Sequence, residues 1–145
     1  MRPTVASSGS GVGSSPRLRP GDLTPVIIAA RRTPVATVGR AYAGVDAAAL
    51  AGHALAAVAD DLRDLRLPLH VDDVLLGNCR GPGGNLARVA ALQAGLGAAT
   101  PGVTVDRQCG SGQAAIQLAA AQIASGSCTL ILAGGVVFTE RWGNH

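Results

Sequence analysis

One heptapeptide carries the strongest chemical signal in the chain: Asp106-Arg107-Gln108-Cys109-Gly110-Ser111-Gly112. It stands between a short apolar run and an uncharged stretch with helical character, so Cys109 falls at the start of a helix. Unpaired backbone N–H groups and the positive end of the helix dipole gather at such a point and favour a thiolate. An ionised thiol is a nucleophile suited to covalent catalysis near neutral pH. Gly110 and Gly112 let the backbone turn sharply and let a substrate approach closely. A free cysteine is also often just a small buried hydrophobe. Position alone leaves both readings of Cys109 open.

The remaining candidates are weaker. Cys79 and Cys128 sit beside or within apolar runs and read as core or near-surface thiols. Three cysteines are an odd number, and none form a CxxC pair, so neither a disulfide framework nor a zinc site is expected. A reducing compartment follows as the simpler assumption, and the cytoplasm is the expected location. Gly81-Pro82-Gly83-Gly84 could cradle a phosphate, but no lysine follows it, and loop formation explains it.

Elements that could position Cys109 alternate along the chain. Residues 25–30 form an apolar run ended by Arg31-Arg32-Thr33-Pro34 and read as a buried strand. Asp46 is a plausible N-cap for an Ala/Leu-rich helix reaching about Leu65. Further strands are expected over 73–78, 103–106 and 128–133, with helices over about 86–96 and 112–125. Strands separated by helices imply βαβ units, a mainly parallel sheet and the α/β class. The 112–125 helix has only Gln113, Gln117, Gln122 and Ser125 as polar positions. So apolar a helix belongs in an interior, and one small sheet cannot cover it.

Composition narrows the function classes. The 145 residues suit one domain, and 48% hydrophobic content excludes general disorder. The 20 glycines have no three-residue period, which excludes collagen, and no apolar run is long enough for a membrane span. The net charge of +3 rests on arginines alone, because the sequence has no lysine. That removes a Walker-type phosphate loop and a Schiff-base lysine. The arginines are not interleaved with aromatics, so nucleic acid is not an expected partner. Residues 1–24 are rich in Ser, Gly, Pro and Arg and read as a flexible tail, with 25–145 as the domain. The tail lacks acidic residues before Asp22, as transit peptides do, but it has no apolar helical face.

From 25 to about 135 the chain resembles the N-terminal half of the thiolases, the acetyl-CoA C-acyltransferases. Val103-Thr104-Val105-Asp106-Arg107-Gln108-Cys109-Gly110-Ser111-Gly112 is similar to the signature around the acylated cysteine. Ile27-Ile28-Ala29-Ala30-Arg31-Arg32-Thr33-Pro34, Val45-Asp46-Ala47-Ala48-Ala49-Leu50 and Asp73-Val74-Leu75-Leu76-Gly77-Asn78 resemble earlier family segments. Asn85-Leu86-Ala87-Arg88 and Ala133-Gly134-Gly135 fit later ones, in the right order.

The resemblance implies a thiolase-like fold, here its βαβαβαβ half with a buried helix after the cysteine. It implies that Cys109 accepts the acyl group of an acyl-CoA, with its backbone N–H donating to the oxyanion, in lipid metabolism. The CoA thioester is then a substrate, and neither a separate cofactor nor a metal is expected. A homo-oligomer or a complementing C-terminal half is the implied partner, and Arg88 is either a subunit contact or a solvated helix residue.

The departures are specific. After Gly135 the chain reads Val136-Val137-Phe138-Thr139-Glu140-Arg141-Trp142-Gly143-Asn144-His145, where the family has a Glu-Ser-like continuation. Phe138 and Trp142 read as an odd tail. The family's Gly-His-Pro histidine and Cys-x-Gly cysteine have no counterpart, so the chain reads as truncated and inactive alone. His53, His70 and His145 are not expected to serve as the base, because the motif order places none near Cys109. Three rivals stand beside this reading: a β-ketoacyl synthase-like relative, a non-catalytic subunit or scaffold, and an unstable gene remnant.

Overall fold

The computed structural model describes residues 23–137 apart from 38 and 82. In chain order the elements are α1 (Ala47–Asp64), β1 (Asp73–Gly77), α2 (Leu86–Gln93), β2 (Val103–Val105), α3 (Ser111–Ala124) and β3 (Ile131–Gly135). The tail over 1–22 and the positions Phe138, Trp142 and His145 lie outside the described residues.

Local chemistry sets the helix ends. The Asp46 carboxylate accepts from the Ala48 and Ala49 amides at 3.1 and 3.3 Å, which starts α1. Asn85 caps α2 by accepting from Arg88 N at 3.2 Å. Gly95 adopts φ 73 and Leu96 N donates back to Ala91 O. This left-handed closure stops α2 at Gln93, three residues short of the sequence expectation.

The sheet has the order β2-β1-β3, and both pairings are parallel. Leu75 lies in register with Val103 on one side and Ala133 on the other. As the central strand, β1 is covered on both faces, which is why it is a continuous apolar run rather than an alternating one. The chain passes from β1 to β2 on one side, then back across to β3 on the other. Right-handed crossovers therefore place α2 and α3 on opposite faces. Val74, Leu76 and Leu132 pack with α1 and α2 in one core cluster. Leu75 points the other way, toward the small buried residues Ala114, Ala115 and Ala119 of α3.

One sequence expectation is corrected. Residues 25–30 form no strand; all of 23–37 lacks helix and strand, and Val26 and Ile27 are 71% and 81% exposed. This segment passes beside the edge strand β3 without forming a ladder to it. There it lines a cavity of about 510 Å³ together with Leu55, Leu62, Ile116 and Leu132. Arg31 holds it to α1 through bonds of 2.7 and 2.6 Å to the Asp61 carboxylate. The helix after the cysteine is buried on one face, with Ile116 and Leu118 47% and 45% exposed, in keeping with the expectation that one small sheet cannot cover it.

The last strand also begins later than expected, at Ile131. Asp72 is the reason: its Oδ2 accepts from Thr129 N, Thr129 Oγ1 and Leu130 N at 2.7, 2.8 and 3.0 Å. Those bonds draw Thr129 and Leu130 into a clamp at the N-terminal edge of the sheet. The Thr129 amide bond, the Leu130 amide and the Thr129 hydroxyl hold the Asp72 carboxyl below its ordinary range, aided by the nearby His70.

Candidate active site

Strand β2 ends at Val105 and α3 begins at Ser111, so five residues must reverse from the sheet into the helix. They do so in a turn closed by its own polar groups. Gly110 N donates to Arg107 O at 3.0 Å and Ser111 N to Gln108 O at 3.1 Å. The Asp106 carboxylate accepts from Gln108 N at 2.9 Å. The Ser111 hydroxyl accepts from Arg107 N at 2.8 Å and donates to Gln108 O at 2.6 Å. Gln108 is held at φ 49, a left-handed conformation that few non-glycine residues adopt.

Cys109 stands at the outside of this turn, exposed, one residue before the N-cap Gly110. No side chain among the described residues caps α3. Its first-turn N–H groups are therefore left to other acceptors. The cysteine lies beyond the C-terminal ends of parallel strands, where ligand sites of open α/β sheets form.

Close backbone contact brings α3 to this place. A Cβ on Gly77 would lie 2.3 Å from Gly112 N, and one on Gly135 would lie 2.9 Å from Gly112 Cα. Three glycines, at the ends of β1 and β3 and in the first turn of α3, thus let the helix rest directly on the strand ends. Sequence reasoning gave Gly112 a role but missed Gly77 and Gly135. The available signal was a glycine closing each of two apolar runs.

The other candidates are placed elsewhere or otherwise engaged. Half-buried Cys79 follows β1 at the same sheet edge as Cys109. Cys128 precedes β3 at the opposite edge; burial pushes its thiol up, with the charges of Asp72 and Asp73 adding to the effect. His70 precedes β1 at that opposite edge too, with Nε2 3.5 Å from Asp72 Oδ1. His53 is exposed on α1, across the sheet from α3. The Gly81 amide donates to Asn78 Oδ1 at 2.7 Å, an ordinary turn contact. Arg88 reaches the carbonyls of Thr100 and, at 2.8 Å, Ala98, so it braces the loop from α2 to β2 within its own chain. Among the described residues no three His, Cys, Asp or Glu side chains gather as metal ligands. No helix among them is long and apolar enough to cross a membrane.

Comparison with known proteins agrees with this geometry. Residues 25–139 match the model of the thiolase N-terminal domain. YhfS of Bacillus subtilis (strain 168), named as an acetyl-CoA C-acetyltransferase, is 54% identical over 70 residues, 48% of this chain and 19% of that protein. VraB of Staphylococcus aureus (strain COL), named likewise, is 54% identical over 71 residues, 49% of this chain and 19% of its own length. The crystal structure of a Bacillus anthracis acetyl-CoA acetyltransferase superposes with a TM-score of 0.71 at 39% identity. That match covers 78% of this chain and 29% of the other. The chain thus spans a minor part of the relatives it matches. With the cysteine turn, the parallel sheet and the matched domain in agreement, the chain belongs to the thiolase family and carries its N-terminal domain.

Proposed function

We propose that the chain belongs to an acetyl-CoA C-acyltransferase in which Cys109 carries the acyl group. The observation that supports it most is the exposed Cys109 on a closed turn leading straight into α3. In this reading Sγ attacks the carbonyl of an acyl-CoA thioester. The backbone N–H of Cys109 donates to the developing oxyanion. Collapse forms the acyl–Sγ bond and breaks the bond to the CoA sulfur, which leaves as a thiolate and takes up a proton. A carbon nucleophile, or CoA in the reverse direction, then takes the acyl group and restores the thiol. CoA is substrate and product here, and the reading calls for no further cofactor and no metal. It places the protein in the cytoplasm, in lipid metabolism.

The described residues supply the nucleophile without a base: His70 is at the far edge of the sheet and His53 is on the opposite face from α3. We therefore expect the 145 residues alone to be inactive, or nearly so, in full turnover. A second copy or a polypeptide supplying the remaining groups would cover the exposed Ile116 and Leu118 on α3.

The test is mass spectrometry of the chain after incubation with acetyl-CoA. An acetyl group on the Cys109 peptide, absent in Cys109→Ser, is the expected result. Acetylation spread over all three cysteines, or none on Cys109, overturns the acyl-carrier role. Labelling by an acyl-carrier-protein thioester but not by acetyl-CoA would instead identify a β-ketoacyl synthase-like relative. Thiolysis by the chain alone at the rate of whole thiolases would overturn the expected inactivity.

A further inference from the structure

We propose that Ser111 is a positioning residue for Cys109, its buried hydroxyl fixing the peptide groups that lead into the cysteine; this rests on the acyl-carrier reading above. Ser111 is 4% exposed and is the first residue of α3. Its Oγ lies 2.8 Å from Arg107 N and 2.6 Å from Gln108 O, accepting from the first and donating to the second. A hydroxyl has one proton and two lone pairs, so a single group satisfies both backbone atoms.

Those two atoms bracket the residue held at φ 49, and the next residue in the chain is the cysteine. Asp106 Oδ1 takes the Gln108 amide at 2.9 Å, so Gln108 is held by a side chain at its N–H and at its C=O. Left to itself, a glutamine would relax to negative φ, swinging the Gln108–Cys109 peptide and carrying the thiol away from the α3 N-terminus. Alanine at 111 would leave Arg107 N without its partner and Gln108 O with only the Ser111 backbone amide, 3.1 Å away. Threonine would keep the hydroxyl.

The experiment is peptide-mapped alkylation with iodoacetamide on the full chain, comparing the parent, Ser111→Ala and Ser111→Thr. Cys79 and Cys128 act as internal reporters of an intact fold. Ser111→Ala is expected to slow alkylation of Cys109 by about tenfold, with Ser111→Thr within about twofold of the parent and the reporters unchanged. A Cys109 rate unchanged or raised in Ser111→Ala, with steady reporters, overturns the proposal, as does failure of a folded Ser111→Thr to restore the rate. If Ser111→Ala unfolds, seen as faster alkylation of both reporters, hydrogen exchange at the Arg107 amide of the parent decides. Protection supports the hydroxyl bond, and exchange as fast as in an unstructured peptide overturns it. Absence of acetyl transfer to Cys109 would sink the acyl-carrier reading while leaving these alkylation results standing.

Discussion

Gly77 on β1 and Gly112 on α3 meet backbone to backbone: a Cβ on Gly77 would come within 2.3 Å of both Gly112 N and Ser111 C. The neighbour is main chain, not the tip of a flexible side chain, so a larger residue has to push the helix off the strand. Gly77→Ala is expected to destabilise the fold by about 3 kcal/mol, the upper end for overpacking. It should also disturb the Cys109 turn. Urea unfolding checks it; an unchanged midpoint would contradict this close approach.

Leu75 is 1% exposed at the centre of the middle strand, between Val103 and Ala133. Its side chain fills the space between the sheet and the alanines of α3, which cannot move in to replace it. Leu75→Ala should cost about 2–5 kcal/mol, measured by denaturant or thermal unfolding. The same truncation at half-exposed Ile116 should cost far less, which makes the pair a test of which face of α3 is buried.

Acid should weaken the fold through Asp72. Its folded carboxyl titrates below the ordinary range, chiefly because the Thr129 amide donates to it, so the unfolded chain binds the proton more readily. The contribution is therefore complete above the ordinary carboxylate value of about 4 and is lost as pH falls through the lowered folded value. Asp61, lowered by its bond from Arg31, acts in the same direction. Melting temperature measured against pH should fall on the acid side, and Asp72→Asn should make that limb shallower. An acid limb identical in the variant would remove Asp72 as a cause.

Cys128 should react slowly while the chain is folded. Burial pushes its thiol up, and its Sγ lies 3.6 Å from Gln122 Oε1 as a donor. Alkylation of Cys128 near neutral pH should speed up by about tenfold or more in denaturant. A rate equal in the folded and unfolded chain would show that the thiol is not shielded.

The sequence by itself determined what depends on neighbours a few residues apart. Asp46 and Asn85 start their helices because each side chain caps amides two or three positions ahead. The apolar run at Val74-Leu75-Leu76 announced a strand, and Cys109 was legible at the mouth of a helix. Only the tertiary structure decided matters set between distant segments. The apolar run at 25–30 gave the local signal of a strand, but a strand exists only where a neighbour pairs with it in register, and this segment runs beside β3 without that ladder. Gly77 and Gly135 looked like ordinary glycines, and Gly112 like a turn residue alone, until the strand ends and the first turn of α3 were brought together. Asp72 reaches Thr129 across 57 positions, and that reach moved the start of β3. Caps and apolar periods act over one turn of chain, whereas close approach and strand pairing act through space, where one sequence position says nothing of its neighbour.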